Sequence, residues 1–147
     1  MEETLAARAR LTELIRRAEN SYVNGKFYKA GRGYERAYDA ATRLGESRSA
    51  RDLALLGSLS YERAKPNVAI ATLLGSMPSS FGYYDAYGAL PLFDKKTIEM
   101  EAHADMLRKA LKLALVAGDN KRRHRLTMQI KNITEEVSLR QTARKEA

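Results

Sequence analysis

The sequence predicts an all-α protein: a helical bundle of about five to six helices built from antiparallel hairpins, with one long aromatic loop. Three observations predict it. Apolar and small residues recur at steps of three and four along most of the chain, the spacing that gathers side chains on one face of a helix. No segment shows the period-two alternation of a half-buried strand. Glycine-centred breaks at Asn24-Gly25, at Gly45 and at Gly118-Asp119-Asn120 separate the periodic segments. Glycine tolerates the left-handed backbone that stops a helix.

The elements follow in order. A first helix is expected over 3–23, with Leu11, Leu14, Ile15, Ala18 and Tyr22 on its apolar face. A second covers about 27–44 and carries Phe27, Ala30, Tyr34, Ala37, Ala41 and Leu44. A third runs about 48–64, with Leu53, Leu56, Leu59 and Ala64. Pro66 suits a first helical turn, where its missing N–H costs nothing, and "NVAIATLLGS" over 67–76 reads as a short buried helix. Residues 76–93, "SMPSSFGYYDAYGALPLF", combine prolines, glycines and serines with five aromatics and read as a long loop or lid. A fifth helix over 95–117 presents Ile98, Leu107, Ala110, Leu111, Ala114 and Leu115. A sixth over 121–142 presents Leu126, Ile130, Ile133 and Val137, followed by a basic tail expected to fray. The chain reads as one helical domain. It comprises a three-helix unit over 1–65, a short helix and aromatic loop over 66–93, and a C-terminal hairpin over 94–147.

Composition bounds the function. Hydrophobic residues at 44% and charged residues at 30% match a globular chain that buries a core. The absence of cysteine excludes disulfides, thiolate metal sites and cysteine catalysis. No apolar run approaches the roughly 18–20 residues that span a bilayer. The start "MEETLAARAR" lacks the apolar core of a secretory signal, so the expected location is cytoplasmic. The net charge is +8. Residues 1–50 carry ten Lys/Arg against seven Asp/Glu, 51–100 five against five, and 101–147 eleven against six, so the ends are basic and the middle neutral. Such a protein meets anionic partners favourably, although charge alone does not distinguish an acidic protein from nucleic acid.

Within residues 18–41, small residues at Ala18, Gly25, Ala30, Ala37 and Ala41 alternate with aromatics at Tyr22, Phe27 and Tyr34. Short side chains let helix backbones approach closely, and neighbouring rings fill the space beside the contact. Taken as a unit over 11–44, this pattern resembles a tetratricopeptide repeat of about 34 residues. It also resembles the three-helix domain of microtubule-interacting and trafficking proteins. That resemblance rests on Gly25, Phe27, Ala30, Tyr34 and Ala37, with Tyr61, Arg63 and Ala64 in the closing signature. The match covers about residues 8–65. Both families bind peptides or helices of partner proteins in grooves between helices, so the resemblance implies a binding module.

Three groups of residues are candidate sites. Lys29, Arg32, Arg36 and Arg43 fall within an arc of about 60° at 100° per residue, roughly opposite the Tyr34/Ala37/Ala41 face. Such a stripe suits an acidic peptide or phosphate. Tyr83, Tyr84 and Tyr87 are the loop aromatics expected to be exposed and to contact a partner. Lys121, Arg122, Arg123 and Arg125 form the densest basic cluster, at a helix start where cations oppose the dipole, and are the nucleic-acid-binding candidates. Catalysis finds no motif. His103 and His124 are the only histidines, and Glu99 with His103 is too small a set for a catalytic zinc. No glycine-rich phosphate loop, nucleophile elbow or paired-carboxylate motif occurs. No metal or cofactor is expected. The function expected is that of a non-enzymatic interaction module or adaptor for an acidic or helical partner segment. The alternative is an accessory RNA- or DNA-binding subunit of a larger assembly. The wide apolar faces of the last two helices leave room for self-association.

Overall fold

Three turns of the same chemistry organise the chain. Gly25 adopts φ +77°, Gly45 +75° and Gly118 +74°, and no atom would crowd a Cβ at any of them, so backbone conformation alone calls for glycine. At the first, the Gly25 N–H donates to the Tyr22 carbonyl (3.0 Å) and the Lys26 N–H to the Ser21 carbonyl (2.9 Å). These two bonds satisfy carbonyls that the helix end leaves orphaned, and the same pair recurs after Gly45 and Gly118.

The structure is a computed structural model that describes residues 2–64 and 95–146. Among them are five helices: α1 (Glu2–Val23), α2 (Phe27–Arg43), α3 (Ser47–Arg63), α4 (Lys95–Ala117) and α5 (Asn120–Glu146). The fold is all-α, and each helix packs on the next as an antiparallel hairpin. Alternate helices also meet. Arg63 of α3 lies over the Tyr22 ring of α1, Glu62 of α3 pairs with Arg122 and Arg125 of α5, and Lys109 of α4 reaches Tyr28 of α2. Thus α1, α3 and α5 share one side of the array, and α2 and α4 the other.

Two cores meet at α3. One joins Leu11, Ala18, Ala30, Tyr34, Ala37 and Leu53 of α1–α3. The other joins Tyr61 with Met106, Leu107, Ala110, Leu113 and Leu126 of α4 and α5. Small residues dominate the crossings. A Cβ on Gly33 would stand 3.0 Å from that of Ala18, and one on Gly31 would stand 2.9 Å from the Tyr61 ring. The buried Ser58 hydroxyl donates to the Ala110 carbonyl at 2.7 Å, tying α3 to α4. A net contribution of about 0.5–1.5 kcal/mol is usual for such a bond.

Helix boundaries agree with the sequence expectation within one residue except for α5. That helix begins at Asn120, because the Asp119 carboxylate accepts the Arg122 backbone N–H at 3.0 Å as an N-cap. It continues to Glu146 rather than stopping at 142, since neither glycine nor proline interrupts "RQTARKE". Two residues assigned to apolar faces are exposed: Leu56 (37%) and Leu115 (53%). On α3 the buried positions are taken instead by Gly57, Ser58 and Ser60, and a Cβ on Gly57 would meet both Leu113 of α4 (2.7 Å) and Tyr34 of α2 (3.3 Å), so the small residues let the two helices converge on α3. The helix expected over 67–76 and the loop over 76–93 lie outside the described residues.

Candidate functional site: a basic groove between α1 and α2

The core face of α2 sets where its cations stand. Ala30, Tyr34, Ala37 and Ala41 are buried against α1 and α3, so the residues on the far side of the helix, Lys29, Arg32, Arg36 and Arg43, are all exposed. Close approach of Gly33 to Ala18 draws α1 against α2 and leaves a shallow groove of about 470 Å³ beside the crossing. Lys29, Arg32 and Arg36 form its α2 wall, Arg16 and Arg17 its α1 wall, and Leu14, Ala18 and Gly33 its floor. The groove continues past Arg36 and Leu14 into a second depression of about 440 Å³, bordered by Arg10, Arg43 and Asp39.

The two walls differ electrostatically. On α1, Glu13 accepts two hydrogen bonds from Arg16 (2.6 and 2.9 Å) and one from Arg17 (3.0 Å). These guanidiniums lower the Glu13 carboxyl to about 2, first through the hydrogen bonds themselves and then through their charge. On α2, none of Lys29, Arg32, Arg36 and Arg43 forms an ion pair with a carboxylate of the described residues. A ladder of free cations along a floor of small apolar side chains offers donors and charge to anionic groups.

The cluster at the start of α5 is arranged differently. Arg122 has a side chain only 12% exposed and is ion-paired with Glu62, while Arg125 pairs with the same carboxylate at 2.8 Å. The Asp119 cap and Glu62 together offset the unfavourable placement of cations at a helix N-terminus. Lys121 and Arg123 remain exposed without such a partner among the described residues. The structure therefore brings Lys29, Arg32, Arg36 and Arg43 together as a free stripe and divides the α5 cluster into two paired and two free residues. Tyr83, Tyr84 and Tyr87 lie outside the described residues.

Sequence reasoning missed the α1 wall, Arg10, Arg16 and Arg17. The adjacent arginines on the polar side of α1 were the available signal, but which helix faces them is a matter of inter-helix register. It also missed Tyr28, Lys109 and Lys112, which converge from α2 and α4. No three His, Asp or Glu side chains converge as a metal site among the described residues. No helix among them is long and apolar enough to cross a membrane. Comparison of the chain with family models, curated proteins and solved structures finds no match in any of the three.

Proposed function

We propose that the protein is a non-enzymatic interaction module, an adaptor that receives an acidic helical segment of a partner protein in the α1/α2 groove. The observation that carries this reading is the ladder Lys29, Arg32, Arg36 and Arg43, none of them ion-paired with a carboxylate of the described residues, beside the Leu14/Ala18/Gly33 floor. From Lys29 to Arg43 the ladder extends about 21 Å at 1.5 Å per residue, the length of about four turns of a docked helix. Acidic side chains at one face of that helix would meet the cations in turn, and its small apolar residues would cover the floor. The resemblance of residues 8–65 to tetratricopeptide and microtubule-interacting-and-trafficking hairpins supports the same reading, because those families take partner segments in grooves between helices.

An accessory nucleic-acid-binding role through Lys121, Arg122, Arg123 and Arg125 is the alternative. It has less support, because Glu62 occupies two of the four guanidinium and ammonium groups on which it would rely.

Titration with an acidic amphipathic peptide, and in parallel with generic RNA and DNA, at several ionic strengths separates the two. The adaptor role predicts peptide binding that weakens with salt and is lost in a K29E/R32E/R36E variant of unchanged helicity. Polynucleotide binding with a steep salt slope, abolished by K121E/R123E and indifferent to the groove variant, would replace it with the alternative.

A further inference from the structure

A second depression, of about 370 Å³, opens on the other flank of the Arg32/Arg36 ridge, between α2 and α4. Its floor is aromatic. Tyr28 and Tyr61 meet edge to face with centroids 5.9 Å apart, and the Tyr61 hydroxyl donates to the Glu35 carboxylate. Over this floor stands Lys109, its ammonium 5.1 Å from the Tyr28 centroid and 5.8 Å from that of Tyr61. It donates to the Tyr28 hydroxyl oxygen at 3.4 Å and has no carboxylate partner among the described residues. Neutral groups thus hold this cation in place without cancelling its charge, so little side-chain freedom remains to be lost when an anion binds.

The charge around the pocket is specific in amount. Arg32, Arg36, Lys109 and Lys112 border it, against Glu35 and Asp39. Four cations and two carboxylates leave a surplus of two positive charges. A phosphate monoester carries about −1.5 to −2 at neutral pH and presents three acceptor oxygens, whereas a carboxylate or a phosphodiester carries a single negative charge. We propose that the α2/α4 pocket is a binding site for a phosphate monoester, with Lys109 as its fixed cation and Arg32, Arg36 and Lys112 closing on the phosphoryl oxygens. This site shares Arg32 and Arg36 with the α1/α2 groove, whereas Lys109, Lys112, Tyr28 and Tyr61 belong to it and not to the groove.

The test follows the ring resonances of Tyr28 and Tyr61 by NMR while the protein is titrated with inorganic phosphate, with O-phosphoserine, and with a short phosphoserine peptide. Sodium chloride at matched ionic strength is the control. Saturable shifts of both rings with phosphate but not chloride are expected. Lys109→Gln should weaken the affinity by at least about tenfold, as expected when a charge-assisted hydrogen bond is removed. Lys112→Gln, a change at an exposed position, should weaken it severalfold and keeps the test valid if the first variant is poorly folded. Tighter binding of the peptide than of O-phosphoserine would assign the ester to a modified partner, and equal binding to a small phosphate ester. Shifts reproduced by chloride, or insensitive to both variants, would overturn the proposal. Backbone amide shifts, followed in the same titration, that are confined to Leu14, Ala18 and Gly33 with both rings unmoved would overturn it while leaving the groove's adaptor role intact.

Discussion

One methyl group added at Gly31 tests how closely α2 lies on α3. A Cβ built there would stand 2.9 Å from Cγ, Cδ1 and Cε1 of Tyr61, well inside the 3.5–4.0 Å of an ordinary carbon contact. The ring has nowhere to retreat. It is 1% exposed, its hydroxyl is held by Glu35, and it packs edge to face with Tyr28. Overpacking of this kind costs about 1–3 kcal/mol. Alanine in place of a helical glycine returns about 0.8–1 kcal/mol of propensity. The net expectation for Gly31→Ala is a loss of about 1 kcal/mol, or roughly 2–4 °C in Tm for a chain of this size. Denaturant melts followed by far-UV circular dichroism measure it, in the wild-type background and with Tyr61→Ala. Once the ring is gone, Gly31→Ala should turn stabilising, giving a coupling between the two sites of about 1–3 kcal/mol. A gain of stability in the wild-type background, or the same effect in both, would refute the close crossing.

Three further outcomes are expected. Ala37 is 0% exposed at the α1/α2/α3 junction, so Ala37→Leu should cost about 1–3 kcal/mol in the same melts, and an unchanged midpoint would place it on the surface. Glu62→Gln removes the carboxylate beside the 12%-exposed Arg122 and should cost about 1–3 kcal/mol, whereas Arg123→Ala should change stability by less than about 0.5 kcal/mol. The Nδ1 of His103 is buried without a hydrogen-bond partner among the described residues, and burial lowers its pKa below the ordinary 6.5. The unfolded chain therefore takes up a proton more readily than the fold, so stability is full above the ordinary value and declines as pH falls through it. Melts at about pH 7 and about pH 5 should show that decline in the wild type and a smaller one in His103→Leu, and an equal decline in both would assign it to other groups.

The parts of the fold legible in the sequence are those fixed by local geometry. Gly25, Gly45 and Gly118 mark the turns because the left-handed backbone is a property of one residue, and the apolar period places α1 to α4 within a residue of their observed ends. Where two partners compete for one helix, the period fails. The faces of α3 are decided by Gly57, Ser58 and Ser60, which hydropathy does not count, and Leu56 is turned outward in consequence. The candidate site divides in the same way. The stripe Lys29/Arg32/Arg36/Arg43 is visible because four residues on one helix obey a fixed angle. Its α1 wall and the Lys109–Tyr28 contact depend on packing between separate helices, and the latter joins residues 81 apart. The basic run at 120–126 shows the reverse case: its composition suggests a free cluster, yet Glu62, some sixty residues earlier, claims Arg122 and Arg125.

The adaptor role is tested most directly by locating a bound acidic peptide on the protein, through backbone amide shifts in a ¹⁵N-labelled sample at low salt. Occupation of the α1/α2 groove predicts saturable shifts at Leu14, Arg17, Ala18, Gly33 and Arg36, with Lys121 to Arg125 unmoved and the whole set suppressed by added salt. A footprint centred on Lys121 and Arg123, or no saturable shift on α1 and α2, would contradict it.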